Sequence, residues 1–260
     1  MLLQDVIKKL TAFAPESDAQ DWDNVGLLVG DRAQDITKIF IALDADEAAI
    51  AQAQACGAQL LLSHHPMIFS PLKRINTDQF IGAHVVRMLR SGISCYAMHT
   101  NYDAARMGAL AAGRLDLPVE TPLGDLFERD GQIYGIGTIS EMGEAMSLEQ
   151  MGELVKERFG LQTVKIFGDL DRRVSRVAIC PGAGKSMIGD ALRQGAQVFI
   201  TGDIDHHSGI DAVAQGLCII DAGHYGIEHI FIADMKEYLS RELPKIEVIA
   251  QERRDPFVVI

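Results

Sequence analysis

The sequence predicts an α/β fold of two similar lobes, each built on a helix-covered, largely parallel or mixed sheet. Short apolar, β-branched segments alternate with helical patterns along the 260 residues, as they do in strand–helix–strand units. Two such units repeat, because Ile36 aligns with Val174 and Gly57 aligns with Gly195 at one and the same spacing. The alternation and the repeat together indicate two lobes of one architecture.

The individual elements follow from hydrophobic periodicity. Apolar, β-branched runs indicate buried strands, and apolar residues that recur every three or four positions indicate helices. The predicted strands cover 26–29, 36–43, 58–63, 93–97, 174–180, 196–201 and 217–220. The predicted helices cover 46–57, 79–91, 147–159, 184–194, 205–215 and 226–240. Because helices separate successive strands, we expect most of the strands to run parallel.

The boundary between the lobes is expected in 117–124, where proline and glycine interrupt the pattern. We therefore assign 1–118 to the first lobe and 119–260 to the second, packed as one unit without an inserted extra domain. His99 matches His224, but these two residues are fewer positions apart than Ile36 and Val174. The first lobe must therefore contain extra residues between Gly57 and His99. The proline-containing loop 66–73 is their expected place.

Composition excludes several classes of protein. The hydrophobic fraction of 48% and the charged fraction of 23% indicate a globular chain. The formal net charge of −12 argues against binding to nucleic acid or to an anionic membrane, since both need clustered Lys and Arg. No apolar run is long enough to span a bilayer, and the N-terminus lacks the features of a signal peptide. Four scattered cysteines without a C-x-x-C motif indicate reduced thiols, and we expect a cytoplasmic protein.

Four histidines and two carboxylates follow the ends of three predicted strands. In chain order they are His64 and His65, then His99 and Asp103, then His224 and Glu228. The carboxyl ends of parallel strands meet at one edge of a sheet, where α/β proteins place their chemistry. Six such groups suit two ions bridged by a carboxylate, and the absence of a thiolate favours Zn, Fe, Mn, Co or Ni. The sequence therefore predicts a site for two divalent metal ions.

Three further features leave alternatives open. Trp22 and Asn24 could line the site, or their segment could be an ordinary turn before a strand. His207 could lie near the site or could be an exposed residue at the start of a helix. The loop Gly182–Ser186 is similar to a phosphate-binding loop, but Ile179 occupies the place of the first glycine, which disfavours nucleotide hydrolysis there.

Five segments together resemble the GTP cyclohydrolase I type 2 homologue family, also called the Nif-three-like family. They are Asp21–Leu27, Ser63–Pro66, His99–Asp103, Thr201–His207 and Asp221–Glu228. The resemblance implies a two-lobe α/β fold with a dinuclear metal centre in the cleft between the lobes, often assembled as a ring-shaped homohexamer. It implies the metal ligands His64, His65, Asp103, His224 and Glu228, with Glu228 as the bridge. His99 matches a histidine close to the metals, and we assign it a catalytic role as base or water positioner.

Two hypotheses for function remain. The first is a metal-dependent hydrolase in which metal-activated water attacks GTP, another nucleotide or a cyclic amide. The alternative is a non-catalytic metal-binding protein, whose ions are cargo or a regulatory signal. A role in DNA binding is disfavoured by the charge of −12 and the absence of a basic stripe. The expected partners are a small-molecule substrate and further copies of the chain, without membrane or nucleic acid.

Overall fold

The computed structural model describes residues 1–124 and 127–260, which form two compact units. The first unit consists of Met1–Tyr102 and Phe231–Arg254, and the second of Asp103–Ile230 and Asp255–Ile260. This division differs from the lobes expected at 1–118 and 119–260. The last long helix and the last strand return to the first unit, and the chain first leaves that unit well before residue 118.

Strands and helices alternate through both units. The strands are β1 (Gly26–Val29), β2 (Lys38–Ala42), β3 (Leu60–Ser63), β4 (Ser94–Ala97), β5 (Thr121–Leu123), β6 (Phe127–Arg129), β7 (Gln132–Tyr134), β8 (Gly137–Ser147), β9 (Lys165–Phe167), β10 (Arg173–Ala183), β11 (Val198–Gly202), β12 (Cys218–Asp221) and β13 (Glu247–Ala250). The helices are α1 (Leu3–Phe13), α2 (Glu47–Ala55), α3 (Phe80–Arg90), α4 (Thr100–Tyr102), α5 (Gly108–Arg114), α6 (Leu148–Phe159), α7 (Ile188–Arg193), α8 (His206–Ala214), α9 (His224–Glu228) and α10 (Ile230–Glu242). Short 3₁₀ turns occur at Glu16–Asp18 and Gly184–Met187, and a π-helical turn at Asp103–Met107.

The first unit is built on a sheet of order β1-β4-β3-β2-β13, in which β1 is antiparallel to β4 and the other neighbours are parallel. Every residue of β3 and β4 is buried, as expected for strands that are covered on both faces. Ile50 of α2 and Met88 of α3 pack with Phe40, Leu61 and Cys95 in one apolar cluster. Burying each large apolar side chain contributes about 1.5–3 kcal/mol, so the cluster stabilises the packing of the helices on the sheet.

The second unit is built on a sheet of order β5-β8-β10-β11-β12-β9. The three strands β10, β11 and β12 run parallel, with β8 and β9 antiparallel on either side. Ala191 of α7 and Ala212 of α8 pack with Phe199 and Ile219 of the sheet. Both units are thus helix-covered mixed sheets, which confirms the predicted α/β class.

The repeat predicted from the sequence is present in the parallel strands. β3 begins at Leu60 and β11 at Val198, which preserves the spacing between Gly57 and Gly195. The connection from β3 to α3 spans 64–79, whereas the connection from β11 to α8 spans only 203–205. The first unit therefore carries its insertion at the predicted place.

Two predicted helices are interrupted. The segment 226–240 is divided between α9 and α10, with the break at His229, and 184–194 begins as a 3₁₀ turn before α7. At that turn the Gly184 N–H donates to the side-chain oxygen Oγ1 of Thr201 at 3.0 Å. The antiparallel strands β8 and β9 and the edge strand β13 were not predicted.

None of the helices in the described ranges is long and apolar enough to cross a membrane. Within the described residues none of the four cysteines forms a disulfide, and burial raises the pKa of Cys95 to about 12. The buried Cys95 thiol therefore carries almost no nucleophilic thiolate at neutral pH.

Candidate metal site

The carboxyl ends of β2, β3 and β4 meet at one edge of the first sheet, and polar residues follow each of them. His64 and His65 come directly after β3, and both of their backbone N–H groups donate to Leu43 O, at 3.1 and 2.9 Å. Asp44 follows β2 and His99 follows β4, each within two residues of the strand end. β2, β3 and β4 are buried up to their last residue, so these polar residues lie in the loops that follow the strands.

Three of the histidines in this unit, His64, His65 and His99, share one arrangement, because an oxygen atom engages Nδ1 of each ring. His64 Nδ1 is 2.7 Å from Met98 O, His65 Nδ1 is 2.7 Å from Asp44 Oδ1, and His99 Nδ1 is 2.9 Å from Asp23 Oδ1. A carbonyl oxygen can only accept, so Nδ1 of His64 donates, and the neutral ring carries its lone pair on Nε2. Such oxygen partners orient histidine ligands in metal sites.

These rings also lie close together. One ring nitrogen from each of His64, His65 and His99 lies within 4.8 Å of the others, so the group could hold a metal ion. The His64 side chain is buried, and the other two rings are partly exposed. The ring of His64 packs against Phe231 and Tyr102, with centroid distances of 5.1 and 6.0 Å. His64 therefore lies against aromatic side chains, whereas His65 and His99 keep part of their surface accessible.

Asp23 is held ionised beside His99. Burial would raise the pKa of this carboxyl, but hydrogen bonds from His99 and Thr100 outweigh burial and lower the pKa from 3.8 to about 2. Thr100 donates from its hydroxyl at 2.5 Å and from its backbone N–H at 3.1 Å. The carboxylate accepts the Nδ1 proton of His99 and would stabilise a positive charge on that ring. A histidine base oriented by a carboxylate has this arrangement.

In the second unit, β12 leads into α9, whose first and last residues are His224 and Glu228. The two side chains share one face of the helix, and His224 Nε2 is 3.0 Å from Glu228 Oε2. His224 Nδ1 is in turn 2.9 Å from Asp203 Oδ2. Asp203 follows β11 and adopts a left-handed backbone conformation with φ of 56°, which is costly for a residue other than glycine. In this backbone conformation the Asp203 carboxylate lies within hydrogen-bond distance of the His224 imidazole.

A glycine makes room for the buried carboxylate of Glu228. Gly182 lies near the end of β10 with φ of +78°, and a Cβ atom there would lie only 2.3 Å from Glu228 Oε1. Glycine is the residue that tolerates both this backbone conformation and so close an approach. The Glu228 carboxylate therefore occupies space that any other residue at position 182 would fill.

Asp103 is the first residue of the π-helical turn between α4 and α5. Isolated π-helical turns recur at functional sites. Asp103 is partly buried. The helix after it, α5, packs closely against β8, since a Cβ atom at Gly108 would lie only 3.0 Å from the carbonyl carbon of Gly137. The predicted ligand thus lies on a well-packed segment.

The donor chemistry of these residues fits a divalent transition metal. The donors are imidazole nitrogens and carboxylate oxygens, the ligands preferred by Zn, Fe, Mn, Co and Ni. Two atoms bound to one such ion at about 2.0–2.2 Å in tetrahedral geometry lie roughly 3.3–3.6 Å apart. His224 Nε2 and Glu228 Oε2 are 3.0 Å apart, which is an ordinary ion-pair distance and places both atoms close enough to reach one ion.

Sequence reasoning missed three carboxylates that engage Nδ1 of the candidate site histidines, namely Asp23, Asp44 and Asp203. Asp44 and Asp203 each follow a parallel strand, so the rule that identified the histidines could have identified them too. His207 is exposed in the first turn of α8, as an ordinary helix-start residue would be. In the glycine-rich loop, Lys185 Nζ pairs with Asp205 Oδ2 at 2.7 Å, so this lysine is already engaged.

Known proteins resemble this chain over its whole length. A family model described as Duf34/NIF3 (NGG1p interacting factor 3) matches residues 1–256. A Clostridium perfringens protein named GTP cyclohydrolase 1 type 2 homolog is 34% identical over 269 residues, covering 100% of both chains. A Lactococcus lactis protein of the same name is 33% identical and covers 99% of each. A crystal structure of a Staphylococcus aureus protein is 27% identical, with a TM-score of 0.89 and coverage of 100% and 99%. The chain therefore belongs to the DUF34/NIF3 family.

Proposed function

We propose that this protein is a metal-dependent hydrolase with two divalent ions bound by His64, His65, Asp103, His224 and Glu228. The observation that carries the proposal is the shared orientation of the histidines. In both units, an oxygen atom engages Nδ1 of these rings, which leaves Nε2 for a metal ion or a proton. A structural histidine needs no such arrangement at a strand end, and its recurrence in both halves of the repeat supports a shared chemical purpose.

His99 is the proposed general base. Bound divalent ions would lower the pKa of a water molecule towards about 7 and polarise the bond under attack. His99 Nε2 would accept a proton from that water, and Asp23 would stabilise the imidazolium through the Nδ1 hydrogen bond. The same ring would then return the proton to the leaving nitrogen. His99 is therefore assigned to proton transfer and not to the five proposed ligands.

GTP is the first substrate to test, because relatives of this chain carry the name GTP cyclohydrolase 1 type 2 homolog. Opening the guanine ring by hydrolysis begins with the addition of water to a ring carbon between two nitrogens. That reaction requires an activated water, a base for its proton and an acid for the leaving nitrogen. Another nucleotide or a cyclic amide makes the same demands, so both belong in the substrate panel.

The proposal is tested by measuring bound metal and turnover on the same preparations. Elemental analysis of untagged protein, before and after reconstitution, is expected to give about two ions per chain. His99→Ala is expected to keep the ions and lose about 10²–10⁴-fold in turnover, the usual contribution of a general base. His206→Ala is the matched control, since His206 is an exposed histidine on α8 outside the proposed site.

Each result has a distinct meaning. Two ions with turnover that depends on His99 and not on His206 would support the hydrolase. Two ions without turnover on any nucleotide or cyclic amide would replace it with a non-catalytic metal-binding protein. A chain that stays essentially metal-free after reconstitution would refute both. Light scattering on the same samples measures the number of chains per particle, for which the family resemblance implies a homohexamer.

A further inference from the structure

Two large aromatic rings lie exposed side by side in the first unit. Trp22 is 58% exposed and Phe69 is 54% exposed, and their ring centroids are 5.8 Å apart at an interplanar angle of 44°. Large aromatic side chains are usually buried, and an exposed pair is unfavourable in water unless something covers it. We call these two side chains the aromatic pair.

The aromatic pair borders the histidine cluster. The ring of Trp22 lies 6.0 Å from the ring of His99, nearly edge to face at 76°. His99 in turn lies 5.2 Å from His64 and 5.5 Å from His65, measured between ring centroids. A flat molecule stacked on the aromatic pair would therefore lie next to the proposed base.

The residues that follow Trp22 fix this arrangement. Asp23 accepts hydrogen bonds from His99 and Thr100, so the residue next to Trp22 is tied to the base itself. Asn24 donates from Nδ2 to Ile68 O at 2.5 Å, and Ile68 directly precedes Phe69. The Asp23 side chain thus holds Trp22 beside His99, and the Asn24 side chain holds Phe69 beside Trp22.

The aromatic pair lies outside the repeated framework of the two units. Phe69 belongs to the connection 64–79, which is much longer than its counterpart 203–205 in the second unit. Trp22 precedes β1, in a segment that the repeat does not include. The metal-type ligands follow from the repeat, whereas the aromatic pair is an addition to one unit only. An addition to one unit is more consistent with recognition of a substrate than with the metal chemistry that both units share.

We propose that Trp22 and Phe69 form a stacking subsite for a planar nitrogen heterocycle, of the purine class, and that they place this ring beside His99. The inference rests on the proposed function for the role of His99. Aromatic side chains bind bases through their π-faces and are tolerant of the base identity. The chain is acidic, with a formal charge of −12, so a stacked ring is better supported here than a lipid surface.

The sequence supplies a direct probe, because Trp22 is the only tryptophan of the chain. Guanosine, GTP and ribose 5-phosphate are titrated into the full chain, and the indole emission is recorded. We expect saturable quenching by guanosine and GTP, and none by ribose 5-phosphate, which has no heterocycle. N-acetyltryptophanamide in the same titrations measures collisional quenching, which increases without saturation.

Two phenylalanine variants separate stacking from a general effect. Phe69→Leu is expected to weaken guanosine binding about fivefold to tenfold, since stacking on an aromatic side chain is worth about 1 kcal/mol or more. Phe80→Leu is the matched control, because Phe80 is 69% exposed and contacts His84 instead of the histidine cluster. Its affinity for guanosine should equal that of the unmodified chain. Near-ultraviolet circular dichroism confirms that both variants are folded.

The titration is repeated on metal-free and metal-loaded protein, which separates this inference from the proposed function. Saturable quenching that Phe69→Leu weakens and Phe80→Leu does not would support the subsite, even if no metal binds. Quenching that matches N-acetyltryptophanamide, or equal affinities in the two variants, would overturn the subsite while leaving measured metal binding intact. Equal saturable quenching by ribose 5-phosphate would also overturn it, because recognition would then not involve the heterocycle.

Discussion

Gly182→Ala is the sharpest test of Glu228 as a metal ligand, because it moves a ligand without removing it. The new Cβ atom would lie 2.3 Å from Glu228 Oε1, whereas ordinary contacts begin near 3.4 Å. The carboxylate must therefore shift by roughly 1 Å to restore an ordinary contact. Misplacement of a reacting or coordinating group by about 1 Å can cost on the order of 10²-fold. We accordingly expect about 10- to 100-fold weaker metal binding, the range found when the surroundings of a metal ligand are disturbed.

Gly182→Ala also introduces backbone strain, so the control variant must carry the same strain. Alanine in the left-handed conformation costs about 1–2 kcal/mol, and this strain lowers stability whether or not metal binds. Gly195 provides the comparison, since its φ is +75°, close to the +78° of Gly182, and the nearest atom to its added Cβ would be Arg176 Nε at 3.9 Å. Gly195→Ala therefore carries the backbone strain without the collision.

The assay is competition for Zn²⁺ or Mn²⁺ against a chromophoric chelator, with urea unfolding of the metal-free proteins alongside. Gly195→Ala should lose stability and keep its metal affinity. Gly182→Ala should lose at least as much stability and also lose metal affinity. Equal affinities in the two variants would show that the position of the Glu228 carboxylate does not matter for metal binding, and the ligand assignment would then fail.

Two further predictions concern the carboxylates that hold histidines. Asp203→Gly suits the left-handed φ of 56° but removes the acceptor for His224 Nδ1, so metal affinity should fall about 10- to 100-fold in the chelator assay with little change in stability. Unchanged affinity would contradict an orienting role. The pKa of Asp23 is lowered from 3.8 to about 2, so its stabilising effect is complete above about pH 4 and is lost as the pH falls towards 2. Urea unfolding should therefore show a steeper loss of stability over that range for the unmodified protein than for Asp23→Asn, and parallel curves would refute the assignment.

The histidines could be predicted from the sequence because the signal is local. A buried apolar strand followed at once by His64 and His65 predicts polar groups at a sheet edge, without knowledge of the strand order. The constant spacing of the two strand–helix–strand units likewise depends on the repeat alone. Asp44 as the partner of His65 depends on the pairing of β2 with β3, and that pairing is a property of the fold.

The remaining differences have the same physical origin. β13 joins the edge of the first sheet only after the chain has passed through the second unit, and nothing in its own short sequence indicates which sheet it extends. β8 carries Gly143 and polar residues among its apolar ones, so its alternation is weak. The break at His229 lies within a continuous helical pattern, next to the point where the chain returns to the first unit. Long-range contacts decide each of these features, and hydrophobic periodicity carries no information about them.

The charge of the proposed ligands bears on how an acidic chain could bind a nucleotide. The chain has a formal charge of −12, which by itself repels a polyphosphate. Two divalent ions would add four positive charges beside the carboxylates of Asp103 and Glu228 and those of Asp23, Asp44 and Asp203, which engage the histidines. The ions would therefore offset most of the local negative charge and offer cations that phosphate oxygens can contact directly. Attraction of the phosphates would then require the ions, whereas stacking of the heterocycle on Trp22 and Phe69 would not. GTP should gain affinity over guanosine only in the metal-loaded protein, so the two contributions to recognition can be measured apart.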